Sequence, residues 1–257
     1  MKQPLRTLVL ALCCGLAAAC TQRPEHLKLM SYNIRNGIGI DNIQDIGRIA
    51  RVILREAPDL VALQELDSAT LRVDGRYIPG ELGRMTGMHA TFGRAIGFAG
   101  GSYGVGLLSR TEPLAVRSTP LPGREEARVL LMAEFPDYTV CVTHLSLTPE
   151  DRHASLPLIL QATDTCRKPV LLAGDFNTGD AAAVLAGLGG GFRILSDTTR
   201  MTFPSDNPAV RIDYILGRGL PTSATVTESA VDHTATASDH CPLWVTLAWK
   251  RGKQPGK

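Results

Sequence analysis

Four times along the chain, a short apolar run stops abruptly at residues able to hold a metal ion or move a proton. Leu27-Lys28-Leu29-Met30 leads into Ser31-Tyr32-Asn33, and Leu60-Val61-Ala62-Leu63 leads into Gln64-Glu65. Tyr138-Thr139-Val140-Cys141-Val142 leads into Thr143-His144, and Val170-Leu171-Leu172-Ala173 into Gly174-Asp175-Phe176-Asn177. Short apolar runs bounded by polar or turn residues read as buried strands. A polar group at a strand end escapes the desolvation cost of the sheet interior, and such ends gather along one edge. An Asn, a Glu, a His and an Asp-x-Asn at four such ends point to a shared site.

Helical signals lie between the strands. Ile43, Ile46, Ile49, Ala50, Ile53, Leu54 and Ala57 recur at helical spacing with Asp45, Arg48, Arg51 and Arg55 between them, and Pro58 follows as a stop. Thr148-Pro149-Glu150-Asp151 reads as an N-cap, a first-turn proline and first-turn acids, opening a helix to about Cys166 that Pro157 should bend. A shorter helix is expected from Asp180 to Leu188, ended by Gly189-Gly190-Gly191. Further strands are expected at Tyr103–Ser109, Val129–Phe135, Arg211–Leu216 and Leu243–Trp249. The Gly-rich segment from Ala99 to Gly104 reads as a hairpin or loop, without the lysine of a nucleotide-binding P-loop. Strands and helices mix without a strict βαβ rhythm, so we expect an α/β sandwich of mixed sheets covered by helices. A chain of 257 residues can form this as one domain.

The N-terminus follows other rules. Lys2 and Arg6 precede an apolar stretch from Leu8 to Leu12, then Ala17-Ala18-Ala19 and Cys20, which together read as a secretory signal. The Cys after small residues resembles a bacterial lipobox, although Ala17 stands where Leu is commoner and Leu16 is one place early. Residues 1–19 are therefore read as a signal peptide, Cys20 as the lipidated residue, 20–27 as a short tether and 250–257 as a tail. Simple secretion and an uncleaved anchor are the alternatives. The expected location is the cell envelope, as a monomer touching the membrane through its lipid. Removing residues 1–19 discards Lys2 and Arg6 and no acid, so the 27 basic residues fall to 25 and equal the 25 acidic ones. Zero charge and 5% aromatic content argue against a protein that tracks long nucleic acid, though nucleic acid stays within the substrate set. Cys141, Cys166 and Cys241 remain, either as buried free thiols or with Cys141 and Cys166 bonded in an oxidising compartment. No Cys-x-x-Cys suggests zinc in the mature chain.

Two clusters near the C-terminus add to the site. Asp213, in Arg211-Ile212-Asp213-Tyr214-Ile215-Leu216, lies among apolar residues, an expensive position for an unpartnered carboxylate. A hydrogen bond to a histidine relieves that cost and fixes the imidazole tautomer, so we pair it with His240 of Ser238-Asp239-His240.

The set Met30-Ser31-Tyr32-Asn33, Gln64-Glu65, Thr143-His144-Leu145, Gly174-Asp175-Phe176-Asn177, Arg211-Ile212-Asp213-Tyr214 and Ser238-Asp239-His240 resembles the ordered motifs of the endonuclease/exonuclease/phosphatase superfamily. That superfamily includes deoxyribonucleases, abasic-site endonucleases, inositol polyphosphate phosphatases and neutral sphingomyelinases. The resemblance runs from about Lys28 to Trp249. It implies a four-layer sandwich of two mixed β-sheets flanked by helices, a domain over 28–249, and Mg²⁺- or Mn²⁺-dependent hydrolysis of a phosphoester, more readily a diester. Glu65 would be the principal metal ligand, with Asn33 and Asp239 assisting directly or through water, an oxygen set suited to a hard cation. Asp175 would orient or deprotonate the attacking water, and Asn177 would hold that water or a phosphate oxygen. His240, backed by Asp213, would be the acid/base or the imidazolium facing the phosphate. His144 would be the second imidazole, and whether Asp175 or His240 takes the water's proton stays open.

Outside the motifs, Tyr103 and Arg128 resemble substrate contacts, with a buried tyrosine and a surface arginine as the alternative. Arg35 faces the same choice between a phosphate and an exposed loop. His26, His89, His153 and His233 are expected at the surface, and Asp206 with Asn207 in a turn beside the site. Phospholipid head groups, nucleic acid and small organophosphates all remain as substrates, although no long apolar hairpin suggests bilayer insertion. The competing reading is an inactive envelope binding module of the same fold, which a lost catalytic group would have signalled.

Overall fold

The computed structural model describes residues 25–249. The signal peptide, Cys20, most of the tether and the tail lie outside them. Among the described residues, twelve strands form two sheets of six. The first sheet contains β1 (Glu25–Asn33), β2 (Leu60–Ser68), β3 (His89–Phe98), β4 (Gly101–Ser109), β11 (Thr225–Val231) and β12 (Leu243–Trp249), in the order β11-β12-β1-β2-β4-β3. The second contains β5 (Ala115–Leu121), β6 (Arg128–Glu134), β7 (Thr139–His144), β8 (Val170–Asp175), β9 (Arg193–Ile194) and β10 (Asp213–Arg218), in the order β5-β6-β7-β8-β10-β9. Each sheet has one parallel pair at its centre, β1/β2 and β7/β8, and antiparallel pairs elsewhere.

The apolar runs are continuous because both faces of the central strands are covered. Along β1, Leu27 and Leu29 point into the core between the sheets, with Val140, Val142, Leu171 and Val245. Met30 and Tyr32 point the other way, onto α1 (Ile46–Glu56) and α2 (Ile78–Thr86) through Ile49, Ile53 and Leu82. The second sheet repeats the arrangement. Val140 and Val142 face its partner sheet, while Cys141, Leu172 and Leu216 pack on α3 (Pro149–Asp164) and α4 (Ala181–Leu188). The result is the four-layer α/β sandwich expected from the sequence.

Local boundaries differ where tertiary contacts override the pattern. α1 starts at Ile46, after Asp45, and Ile43 is 59% exposed in the turn before it. Its stop is Ala57 in the left-handed region, one residue ahead of Pro58. α3 ends at Asp164 instead of Cys166, and Thr148 takes the N-cap position without a side-chain capping bond because its hydroxyl donates to Glu125. Asp180 does cap α4, accepting from the amide of Ala183. Arg211 stands outside β10, its guanidinium buried against the Arg200 carbonyl and Ser196 Oγ. The Ala99-Gly100 turn closes a β3/β4 hairpin. Cys141, Cys166 and Cys241 are all free thiols, so the Cys141–Cys166 bond is absent.

Candidate active site

Asn33, His144 and Asp175 end their strands at one pole as expected, whereas β2 runs on to Ser68 and carries Glu65 at an internal bulge on the same pole. In the second sheet, His144 pairs in register with Asp175, and Asp175 with Asp213, so three polar side chains stand abreast on β7, β8 and β10. Gly174 makes this possible: a Cβ there would lie 2.1 Å from the Thr143 carbonyl oxygen. Phe176 then anchors the turn, fully buried and edge-on to Tyr214 at 5.6 Å. Asn177 adopts a positive φ of 51°, a conformation that asparagine tolerates better than most residues. Its amide N–H donates to Asp175 Oδ1 at 2.8 Å and its side chain to the Leu145 carbonyl at 2.8 Å.

In the first sheet, Asn33 ends β1 beside Gln64. A bulge in β2 sets Gln64 and Glu65 opposite the single residue Val105, and Glu65 has φ 56°. A bulge of this kind re-aims a side chain at a strand end. The Asn33 Nδ2 group donates to Glu65 Oε1 at 3.0 Å and to Asp175 Oδ2 at 3.1 Å, joining the two sheets through one amide. Before β12, the Ser238 hydroxyl donates to the Asn33 carbonyl at 2.7 Å, which ties the Asp239-His240 loop to β1. The Ser205 amide and hydroxyl clamp the same loop from outside, through the carbonyls of Asp239 and Ser238.

His240 sits between carboxylates. Its Nδ1 lies 3.0 Å from Asp213 Oδ2 and its Nε2 3.6 Å from Asp175 Oδ2, with the Phe203 ring 4.8 Å away. Asn33 Nδ2 also approaches Nε2, at 3.4 Å, but both its hydrogens are already directed at Glu65 and Asp175. Nδ1, within hydrogen-bond distance of a carboxylate, must donate, and the Asp175 charge beyond Nε2 favours a proton there as well. Burial opposes the charge, yet Asp213, Asp175 and Asp239 outweigh it and push His240 up to about 10. His144 Nε2 lies 3.5 Å from Asp175 Oδ2. Burial lowers its pKa to about 4, against the pull of Asp175 and assisted by Arg128 and His240. At neutral pH the two imidazoles therefore differ in charge.

Ligand atoms of Asp175, Asp213 and His240 all lie within 4.8 Å of one another. The imidazolium already bridges these acids, so a cation fits better on the Glu65 side. Burial raises the pKa of Glu65, as do the neighbouring Asp175 and Asp239 carboxylates. Crowding of hard anionic oxygens without enough positive charge is what a divalent cation relieves. Asn33 Oδ1 accepts from the Arg35 amide at 3.1 Å while its NH₂ bonds Glu65 and Asp175. Asp239 is paired with Arg35 Nε at 3.4 Å, which places Arg35 at the site as a partner of a carboxylate.

Tyr103 and Arg128 line the same crevice of about 330 Å³, together with Glu65, Glu126, His144, Leu147, Asp175, Asn177, Phe203, Ile212, Asp239 and His240. Arg128 is 6% exposed and held by Glu125 at 3.2 Å and Glu126 at 3.1 Å, which corrects the surface alternative. Glu125 was not legible in the sequence as a site residue. Its carboxylate accepts from Ser146 Oγ at 2.6 Å, the Leu147 amide at 2.7 Å and Arg128, locking the loop after His144. Burial opposes its charge, but these bonds hold its pKa at about 2. Only the pair of acids before Arg128 hinted at it. His26, His89, His153 and His233 are all exposed, and the Asn207 amide donates to the Pro204 carbonyl in a turn.

A model of the Endonuclease/Exonuclease/phosphatase family matches residues 30–240. The chain belongs to this family. Among solved structures, the family member from Bacteroides vulgatus superposes with a TM-score of 0.72 at 19% identity, over 88% of this chain and all of that one. The member from Beutenbergia cavernae gives 0.69 at 23% identity, over 89% of this chain and 72% of that one. A mannosyl-6-phosphatase from Bacteroides thetaiotaomicron gives 0.65 at 19% identity, over 86% and 99%. At these identities the likeness shows the shared fold. Hydrolysis at phosphoester bonds is the chemistry of the family.

Proposed function

We propose that the chain is a divalent-metal-dependent phosphoester hydrolase, carried at an envelope membrane by a lipid on Cys20, with Mg²⁺ or Mn²⁺ as the ion. The carrying observation is the Asn33 amide that bonds Glu65 and Asp175 at once, because it draws a metal-type carboxylate and a proton-transfer carboxylate into one crevice. Glu65, with Asp239 beside it, would hold the ion, which when bound supplies positive charge to the phosphoryl oxygens. His240, already doubly protonated, is a donor and a cation, so it binds a nonbridging oxygen and cannot accept the water's proton. Asp175 takes that proton, its Oδ1 fixed by the Asn177 amide and its Oδ2 by Asn33. Neutral His144 keeps its one ring proton on Nε2 beside Asp175, and once Asp175 has taken the water's proton that N–H is free to donate toward the leaving oxygen.

Tyr103, Leu147 and Phe203 flank the polar centre and leave room for an organic group on either side, which favours a diester. Against Arg128 and the His240 imidazolium, the crevice presents Glu65, Glu126, Asp175 and Asp239, a lining that offers a long polyanion no basic track. The purified mature chain should hydrolyse bis-p-nitrophenyl phosphate with Mg²⁺ and stop on EDTA. Turnover that survives exhaustive chelation would overturn the metal-dependent mechanism. The inactive-module reading predicts neither turnover nor a divalent site, and a metal titration followed by calorimetry separates it.

A further inference from the structure

We infer that the anchored enzyme acts on phosphoesters dissolved in the aqueous phase, and not on head groups of the leaflet that holds it. The inference rests on the hydrolase and lipid-anchor readings above and adds the direction in which the site faces. β1 connects the two ends of the molecule. Its first residue, Glu25, leaves toward Cys20, and its last, Asn33, is in the crevice. Eight steps of about 3.3 Å put some 26 Å between them.

The pole near Glu25 is opposite the site in both sheets. His26 and Leu27 share a groove with Asp59 at the start of β2, Arg110 to Leu114 after β4, Pro136 to Tyr138 before β7, and Trp249 at the end of β12. The site instead uses the far ends of β1, β7 and β8, the bulge of β2 and the near approaches to β10 and β12. The tether therefore leaves the base of the sandwich and the crevice opens at its top.

From Cys20 to Glu25 there are five residue steps, which at no more than about 3.6 Å each reach roughly 18 Å. Turning the crevice onto the membrane requires that tether to climb the whole height of the sandwich, about 26 Å along β1 alone. It is too short. With Glu25 toward the membrane, the domain keeps the crevice off the surface. No helix among the described residues is long and apolar enough to cross a membrane, so the fold supplies no second anchor of that kind.

The test uses the full lipidated chain in phosphatidylcholine/phosphatidylglycerol vesicles with Mg²⁺, beside a soluble Cys20→Ala chain lacking residues 1–19. Both should cleave bis-p-nitrophenyl phosphate at the same rate, and the anchored protein should release no head group from its host vesicle. Head-group release with the native tether, from host or added vesicles, would overturn the inference. A second variant carries about 25 Gly/Ser residues between Arg23 and Pro24, a linker whose full reach of about 90 Å lets the domain invert. If it gains head-group release, reach is the restriction in the native chain. If it stays silent on lipid while cleaving the soluble diester, the crevice itself prefers soluble substrates, and either result agrees with the inference. Fatty-acid labelling reports separately on Cys20: unlabelled protein would overturn the anchor and this inference together, leaving the hydrolase reading intact. Inactivity on every substrate would overturn the hydrolase reading instead.

Discussion

The two sheets are built on one plan and equipped differently. In each, a parallel central pair is joined through a helix, α1 between β1 and β2 and α3 between β7 and β8, and the pair's C-terminal ends reach the crevice. An antiparallel neighbour completes each half, β12 beside β1 and β10 beside β8, with polar residues at or just before its start. The first half contributes Asn33, Glu65 and Asp239, oxygen and amide groups suited to a cation. The second contributes His144, Asp175 and Asp213, groups suited to moving and placing protons. Two groups cross over: the Asn33 amide, which bonds Asp175, and His240, carried by the loop before β12 and bonded to Asp213 of the other sheet. The backbones differ as well: β2 reaches its acid through a bulge and a positive φ, whereas β8 ends regularly and leaves the positive φ to Asn177. A shared topology thus sets where side chains end up, and the local backbone sets what they can do there.

If the halves divide the chemistry in this way, damage to them should look different. The largest loss is expected for Glu65→Ala, on the order of 10³-fold or more in kcat, since an ion contributes several kcal/mol of transition-state stabilisation. Isothermal titration should show weakened Mg²⁺ binding in that variant and in no second-sheet variant. Asp213→Asn should cost on the order of 10² to 10⁴-fold, by losing the hydrogen bond and charge that hold the His240 imidazolium. Metal affinity should survive it, and equal metal weakening in both variants would break the division.

The same pair supplies a pH signature. The fold raises the His240 pKa from 6.5 to about 10, so the stability it contributes is complete below 6.5 and is lost as pH rises through about 10. Activity that needs the imidazolium should fall over the same alkaline range. In Asp213→Asn that limb should move to lower pH, and a pH–rate profile with an unmoved limb would separate Asp213 from the titration. His144→Gln should cost on the order of 10²-fold, the usual worth of one placed proton-transfer group. The smallest effect belongs to Glu125→Gln, which breaks the lock on the loop after His144. About 1–3 kcal/mol of stability should go, read by denaturant unfolding, with kcat changed less than in any variant above. Because Glu125 is held at about 2, its contribution is present above its ordinary 4.5 and vanishes as pH falls through about 2.

Much of the molecule was legible along the chain because its signals are local. The apolar runs at Leu27, Leu60, Tyr138 and Val170 and the helix opening near Asp180 each follow from a few neighbouring residues. β3, β5, β11 and α2 carry no comparable run: β5 reads Ala-Val-Arg-Ser-Thr-Pro-Leu and is mostly exposed, so it pairs as an edge strand without a hydrophobic signature. Thr148 shows a further limit, since its capping role was displaced by a carboxylate 23 positions away.

By itself the sequence determined the class of fold, the strand ends that carry chemistry and the partnership of Asp213 with His240, because burial and desolvation act on short stretches. The tertiary structure decided the rest. It made Asn33 a bridge between Glu65 and Asp175, buried Arg128 between Glu125 and Glu126, left one imidazole charged and the other neutral at neutral pH, and set the crevice at the pole away from Glu25. Those outcomes depend on register and on charges brought within a few ångströms across the sandwich, and no local pattern encodes such distances.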